Sequence, residues 1–560
     1  MEYRSAVDEI RFHLRHGGGF ARVGRTERFA GATEDVVEAV LQGAARLCDG
    51  VLAPLNRVGD LHPARLENGT VRTPPGFAEG FRAIAGGGWI GLSADPAHGG
   101  QGLPLTVETA VNEMMAGACM ALQLNPLLTQ GQIAALEHHA EPRIRSLYLP
   151  KLVSGEWSGT MNLTEPQAGS DLGALRTRAE RAADGAYRIT GQKIFITWGD
   201  SDFMANTCHL VLARLPGAPA GTRGISLFLV PKFIPDAAGR PGRPNSLRVA
   251  GLEHKMGIHG APTCVMDYDA ATGWLIGAEN GGMAAMFTMM NAARLAVGVQ
   301  GVGIAEAALQ KAEAYAAGRI QQGPILRHPD VRRMLACARA ELFAARAIAL
   351  DCAAALDLAR AEGPDVHAAK AAFLTPVAKS FGTEVGLRVC ETAMQVFGGA
   401  GYVEQTGIAQ HYRDVRITAI YEGTNGIQAM DLVGRKLADG GEAAFRLIEE
   451  VEAEAEAARS ALPDMAGPVW AAAESLREAT EELLSRTAAE RSAGAHPFLM
   501  AFARVLGAGS HLRAARADAA RAPMARVYVG RLLPLHAAHL AEVRAGPDDL
   551  EAVRIGPEAP

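Results

Sequence analysis

A block of short strands set between long helical runs constrains this chain more than any other feature. From 282 to 399 three Ala- and Leu-rich stretches, 282–318, 330–362 and 365–399, follow one another with short connections, and the first contains no proline. Stretches of that length and composition read as long helices that bundle. Just before them, 186–200, 209–215, 225–233 and 264–277 are short runs rich in β-branched and aromatic residues, punctuated by Gly, Pro and Asn. That texture predicts a β-barrel or sandwich over about 155–278. Towards the N-terminus, Val37, Val40, Leu41, Ala44, Leu47 and Val51 recur at helical spacing, 107–124 reads as a second apolar helix, and the Gly/Pro-punctuated stretch 90–104 reads as loop. Beyond 441 the pattern is again helical. The chain is thus expected to be α+β but mainly α. The expected order is an N-terminal extension (1–33), a helical domain (34–154), a middle β-domain (155–278), a helical bundle (279–440) and a C-terminal helical extension (441–560). That order is not a doubly wound sheet, and no G-x-G-x-x-G sits at a strand–helix junction.

Size and charge narrow the function. The 560 residues are 48% hydrophobic and 21% charged, with net charge -6 and pI near 6.3. Such a chain can bury a large core and lacks the basic field that holds nucleic acid or anionic lipid. Arg4, Asp8, Glu9, Arg11 and Arg15 break up the start, so no secretory signal is expected there. No window of about 18 apolar residues stands out, so no membrane span is expected. The seven cysteines are scattered, with no C-x-x-C pair, and read as reduced thiols of a cytoplasmic protein with no metal site.

Five motifs occur in order: "TEPQAGSD" (164–171), "GQKIFITWGD" (191–200), "EHKMGIHG" (253–260), "QVFGGAGY" (395–402) and "YEGTNGIQ" (421–428). Together they resemble the acyl-CoA dehydrogenase family over about residues 34–440. The resemblance implies a helical domain, a β-barrel and a four-helix bundle, with FAD between barrel and bundle. The N-terminal segment, the long helical tail and "EHKMGIHGAPTC" resemble a longer bacterial branch that includes the methylthiopropanoyl-CoA dehydrogenases.

Glu422 is the residue on which the chemistry turns. It follows the apolar Ile420 and Tyr421 and precedes a Gly-Thr-Asn-Gly run. Removing the weakly acidic α-proton of a thioester requires a close base whose pKa is raised by desolvation. The resemblance makes Glu422 that base; the plainer alternative is an exposed glutamate before a turn. The other location used in the family, 286–298 here, holds no Asp or Glu. By resemblance, Met161, Leu163 and Thr164 line the flavin, Gly169 and Ser170 reach its phosphate and the CoA side, Phe195 stacks near the ring, and Thr197 bonds near N5. Turn chemistry and ordinary barrel core are the alternatives for these. Arg319, Gln395, Gly399, Thr424 and Gly426 complete the expected cofactor shell, with Arg319 serving the FAD of a neighbouring subunit; relatives carry Thr-Phe where this chain has Gln321-Gln322. Asn291 and Arg294, three apart on one helix, point by resemblance to the CoA chain, with a bundle salt bridge as the alternative, and Tyr421 adjoins the substrate. The acidic run 449–458 reads as a solvated helix face.

The resemblance therefore implies α,β-dehydrogenation of an acyl-CoA to a trans-2-enoyl-CoA. FAD is the hydride acceptor, an electron-transfer flavoprotein the partner, and a homodimer the assembly. An acyl-CoA oxidase and a catalytically idle flavoprotein scaffold are the competing expectations.

Overall fold

The computed structural model describes residues 3–363, 365–553 and 555–556. It divides into two compact units. One joins Ala39–Ala296 to the first described residues, and the other joins Ala6–Glu38 to the chain from Val297 onward.

The first unit packs helices beside a β-barrel. Its principal helix, α2 (Leu105–His139), follows the N-terminal α1 (Val7–His16) in chain order and runs well past the helix expected at 107–124. Its polar stretch and Pro126 obscured its true length in the sequence. It is broken at Cys119, whose φ of -160° and ψ of 86° are not helical. The barrel strands are β1 (Trp157–Asn162), β2 (Arg178–Arg181), β3 (Tyr187–Thr197), β4 (Asn206–Arg214), β5 (Ile225–Pro231), β6 (Leu247–Leu252) and β7 (Thr263–Ile276). A closed ring runs β7-β3-β2-β4-β5 and back to β7, with β6 added beside β7 and β1 beside β4. Closure leaves no long open edge. Tyr187, Ile189, Val211, Phe228, Met266 and Tyr268 fill the core with side chains that alternate inward along each strand.

The second unit is built on α3 (Gly282–Gly318, from residue 297), α4 (Pro329–Glu362) and α5 (Asp365–Phe397), as the sequence predicts. Short helices α6 (Ile408–Val415) and α7 (Asn425–Asp431) complete the bundle. α3 and α5 cross at van der Waals distance through glycines: a Cβ on Gly298 would stand 2.5 Å from the Ala378 carbonyl oxygen. The expectation of no span-like window needs correction. α3 is long and apolar enough to cross a membrane, but 89% of that window is buried in the fold, which makes it a core helix.

The tail contributes α8 (Glu442–Ala458), α9 (Pro463–Ser485) and α10 (Ala495–Ala517). It is sealed to the bundle. Phe502 packs on Phe373 of α5 at 4.8 Å, and buried Arg504 meets Glu341 of α4 at 3.1 Å, a carboxylate it shares with Arg388. The acidic run is not simply a solvated face. Both oxygens of Glu452 accept from Arg477 Nη2, and Glu454 takes Arg513 and Arg516, so α8 is stapled to α9 and α10. The N-terminal α1 joins the same unit, with Arg521 bonded to Glu9 and its guanidinium 4.0 Å from the centroid of the Phe12 ring.

Candidate active site

The segment "LTEPQAGSD" leaves β1 and is pinned to β3 by a buried ion pair. Glu165 accepts from Lys193 Nζ (2.8 Å), the Arg176 and Thr177 amides (2.7 and 3.0 Å) and Gln167 Nε2 (2.7 Å); Lys193 also donates to the Leu163 carbonyl (2.9 Å). Burial opposes both charges. For Glu165 it is outweighed by the Lys193 charge and these hydrogen bonds, which hold the carboxyl down to about 2, whereas burial lowers Lys193 to about 8. The Ile194 amide donates to the Thr164 carbonyl at 2.9 Å. Thr164 is thereby fixed beside the strand that carries Phe195 and Thr197. No sequence signal singled out this pair, because 28 residues separate its members.

The end of β3 is strained. Phe195 has φ +60° and Trp198 φ +53°, the left-handed region that costs a bulky residue about 1–3 kcal/mol. Phe195 is 60% exposed, so it is not the core residue its β-pattern alone favours. Trp198 points inward and donates from Nε1 to the Ala121 carbonyl of α2 at 3.0 Å. Met161 and Thr164 are half-buried, and Gly169 and Ser170 are exposed. A Cβ on Gly169 would meet nothing within 4 Å, so a ligand can approach its backbone closely. Asp171 does serve as a turn cap, accepting from the Gly173 amide at 2.9 Å.

Behind β1, Tyr268 donates to Asn162, Asn162 donates to Thr160, and Thr160 lies against His209 Nδ1, each at 2.8 Å. Burial, reinforced by the Lys232 charge, pushes His209 down to about 3. It is a neutral packing residue and not an acid or base. At the start of α3, Arg294 donates to Asn291 at 3.3 Å and its guanidinium stands 5.9 Å from the Phe287 ring centre.

In the second unit Glu422 sits at φ +55°, followed by Gly423 at +84°. The turn is held at each side. Tyr421 donates to Gln300 of α3, and buried Gln428 donates to the Glu422 carbonyl at 3.3 Å. Thr424 caps α7 by accepting from the Ile427 amide at 3.2 Å. Asn425, the next residue, accepts from Lys379 (2.9 Å) and donates to Glu384 (2.9 Å) on α5. Burial, and then the Glu422 charge, raise the Tyr421 phenol well above its ordinary value, so it stays a neutral donor. Along the turn runs an open cleft of about 660 Å³, lined by Glu384, Arg388, Tyr412, Arg416, Ile420 and Thr424 among others.

Arg319, Gln395 and Gly399 are gathered elsewhere in the same unit. Tyr315, one turn before Arg319, stacks on Phe397 at 4.0 Å and 12°, which joins the ends of α3 and α5. Arg319 is exposed and has no ion-pair partner among the described residues; Gln395 and Gly399, on either side of Phe397, are exposed, and a Cβ on Gly399 would meet nothing within 4 Å. An unpaired guanidinium next to open glycine backbone suits a phosphate. An exposed aromatic at a strained strand end suits a flat ring. Each group of residues, within its own unit, suits one part of a flavin dinucleotide: the exposed aromatic its ring, the guanidinium its phosphates. Among the described residues no group of three or more His, Cys, Asp or Glu could hold a metal ion.

Family models match four consecutive regions: the acyl-CoA dehydrogenase N-terminal domain at 37–156, its middle domain at 160–271, its C-terminal domain at 280–438, and an acetyl-CoA dehydrogenase C-terminal-like domain at 447–554. The chain is 46% identical over 468 residues to the 3-methylmercaptopropionyl-CoA dehydrogenase of Ruegeria pomeroyi, covering 81% of this chain and 79% of that protein. Among solved structures, Caenorhabditis elegans ACDH-11 in complex with C11-CoA superposes with a TM-score of 0.81 at 20% identity, covering 95% and 92% of the two chains. The Bacillus anthracis acyl-CoA dehydrogenase complexed with FAD gives 0.74 at 21%, covering 95% and 91%. The chain belongs to the acyl-CoA dehydrogenase family.

Proposed function

We propose that this chain removes the α- and β-hydrogens of an acyl-CoA thioester to give a trans-2-enoyl-CoA, with Glu422 as the α-proton base. The observation that carries this reading is the turn at Glu422. A non-glycine residue is held at φ +55° by anchors on α3, α5 and α7, and its half-buried side chain follows the half-buried Tyr421. Strain of this kind persists where the surrounding structure fixes a reactive group. No acid stands in 286–298 to share the role.

FAD, when bound, would supply a two-electron acceptor for the β-hydrogen. Met161 would bind it from β1, Leu163, Thr164, Gly169 and Ser170 from the loop that Glu165 and Lys193 hold, and Phe195 and Thr197 from the end of β3. Thr424 and Gly426 would contribute backbone and hydroxyl contacts from the turn. Asn291 and Arg294 would orient the CoA chain. The FAD-bound and acyl-CoA-bound relatives described above support both ligands.

Arg319, Gln395 and Gly399 would hold the cofactor of a second copy in a homodimer. Along α3, Arg319 lies 19 residues beyond Gln300, the residue that anchors the turn, or about 28 Å at 1.5 Å per residue. That span supports service to a different site. The exposed Ile320, Tyr402 and Val403 near these residues are apolar surface for the partner to cover. Electrons would leave to an electron-transfer flavoprotein. The seven free cysteines, six of them buried, suit the reducing cytoplasm.

The test is anaerobic titration of the purified yellow protein with an acyl-CoA panel that includes straight-chain and 3-methylthiopropanoyl thioesters. Bleaching of the flavin's visible absorption with formation of an enoyl-CoA is expected. A colourless protein, or no bleaching with any thioester, overturns the reading.

A further inference from the structure

Two amides on α2 have no hydrogen-bonding partner among the described residues. Asn125 and Gln132 are 1% and 0% exposed, and all four of their polar side-chain atoms are buried and unsatisfied. Native folds pair nearly every buried polar group, so two wholly orphaned amides on one helix require a reason.

Their place in the fold supplies one. Seven residues apart, they share a face with Thr129 between them. That face meets β1. Thr129 Oγ1 accepts from the Gly159 amide at 3.0 Å, and a Cβ on Gly159 would stand 1.9 Å from Gln132 Oε1. Only glycine leaves room for Gln132 there. One turn before Asn125, Ala121 accepts from Trp198, the residue after Thr197. On another side, Met289 of α3 packs against Gly131 and lies two residues before Asn291. The helix that carries the orphaned amides thus touches β1, which bears Met161, Trp198 just after Thr197, and Met289 two residues before Asn291. All of these belong to the same compact unit. The break of α2 at Cys119 and the methionines 114, 115, 120 and 289 give this region a lining that adapts in shape.

We infer that Asn125 and Gln132 line the polar end of the acyl-binding recess and select acyl chains that carry a hydrogen-bonding group, a hydroxyl above all. The inference rests on the acyl-CoA reading proposed above. Each amide offers N–H donors and a carbonyl acceptor, and a hydroxyl can both give and accept. A plain alkyl chain displaces water and leaves all four atoms unpaired. Sites built to bond a substrate hydroxyl discriminate strongly against the analogue that lacks it.

The experiment compares kcat/KM for 5-hydroxypentanoyl-CoA and pentanoyl-CoA on the FAD-loaded enzyme, for wild type, Asn125→Leu and Gln132→Leu. Wild type should prefer the hydroxy chain by roughly tenfold or more, and each variant should bring the ratio towards one. A wild-type ratio near one overturns the inference without recourse to any variant. So does an unchanged ratio in leucine variants that melt higher, the outcome expected of amides orphaned only by packing. If no thioester bleaches the flavin, the acyl-CoA reading fails and this inference fails with it. Bleaching by pentanoyl-CoA with no preference sinks this inference alone.

Discussion

At the residue scale the recurring device is a charge or polar group buried with its partners from distant parts of the chain. Glu165 and Lys193 hold the expected flavin loop to β3 through one carboxylate that accepts from four donors. Breaking such a pair leaves a buried charge, at a cost of about 3–5 kcal/mol. Lys193→Met should therefore lower the thermal midpoint sharply, and adding Glu165→Gln should restore most of the loss. Thermal unfolding of the two single variants and the double variant checks this; additive losses would contradict it. At the same scale, the glycine-rich turn after Glu422 was legible because its motif is local. Gln300, Lys379 and Asn425 were not, because packing, rather than spacing, brings them 121 and 46 residues across the chain to meet Tyr421 and one another. One signal was present: Lys379 interrupts the apolar run "FLTPVAKSF" and is wholly buried. A lysine there needs a partner.

At the element scale, helices declared themselves through length and composition. α3, α4 and α5 begin and end within two residues of the stretches read from sequence. Long β-branched strands were equally plain, β3 and β7 above all. β1 was missed. "WSGTMN" has no β-branched alternation beyond Thr160, and it is a strand because it pairs in parallel with β4 and is covered by α2. The two orphaned amides on α2 also escaped notice, since an Asn and a Gln in a helix imply nothing until their burial is known. Close crossing of α3 and α5 was hidden in "GVQGVG", whose glycines look like breakers but act as contact points. Gly298→Ala forces its methyl against the Ala378 carbonyl and should cost about 1–3 kcal/mol by overpacking. Urea unfolding reads the loss; a variant as stable as wild type would show that the helices can separate freely.

At the scale of the whole molecule, the tail is part of the bundle's core. Phe373 with Phe502, Glu341 with Arg504, and the stack of His511 on Tyr528 at 4.5 Å place its side chains inside the second unit. A chain ended at residue 440 would expose those faces and leave Glu341 with Arg388 alone, so it should aggregate or lose cooperative unfolding. Soluble, cooperatively folding truncated protein would contradict that. Acid should weaken both units in one window. Glu165 in one and Glu306 in the other are held at about 2, against an ordinary value near 4.5. Burial works against each charge, and the cationic partners, Lys193 for the first and Arg346 and Arg339 for the second, prevail. A depressed carboxyl contributes stability that is fully present above about 4.5 and is lost as pH falls towards 2, on the order of 3 kcal/mol for each group. Calorimetry between pH 6 and 2 should show the midpoint falling mainly below 4.5, and Glu306→Gln should flatten that slope.

The account stands most directly on Glu422. We would mix FAD-loaded wild type and Glu422→Gln with the best acyl-CoA under anaerobic conditions and follow flavin bleaching in a stopped-flow instrument. Glutamine keeps the shape of the turn and cannot take a proton. Bleaching should slow by about 10² to 10⁴-fold while the flavin stays bound and its absorption in the absence of substrate is unchanged. A variant that bleaches as fast as wild type would show that another group takes the proton, and would overturn the role assigned to this turn.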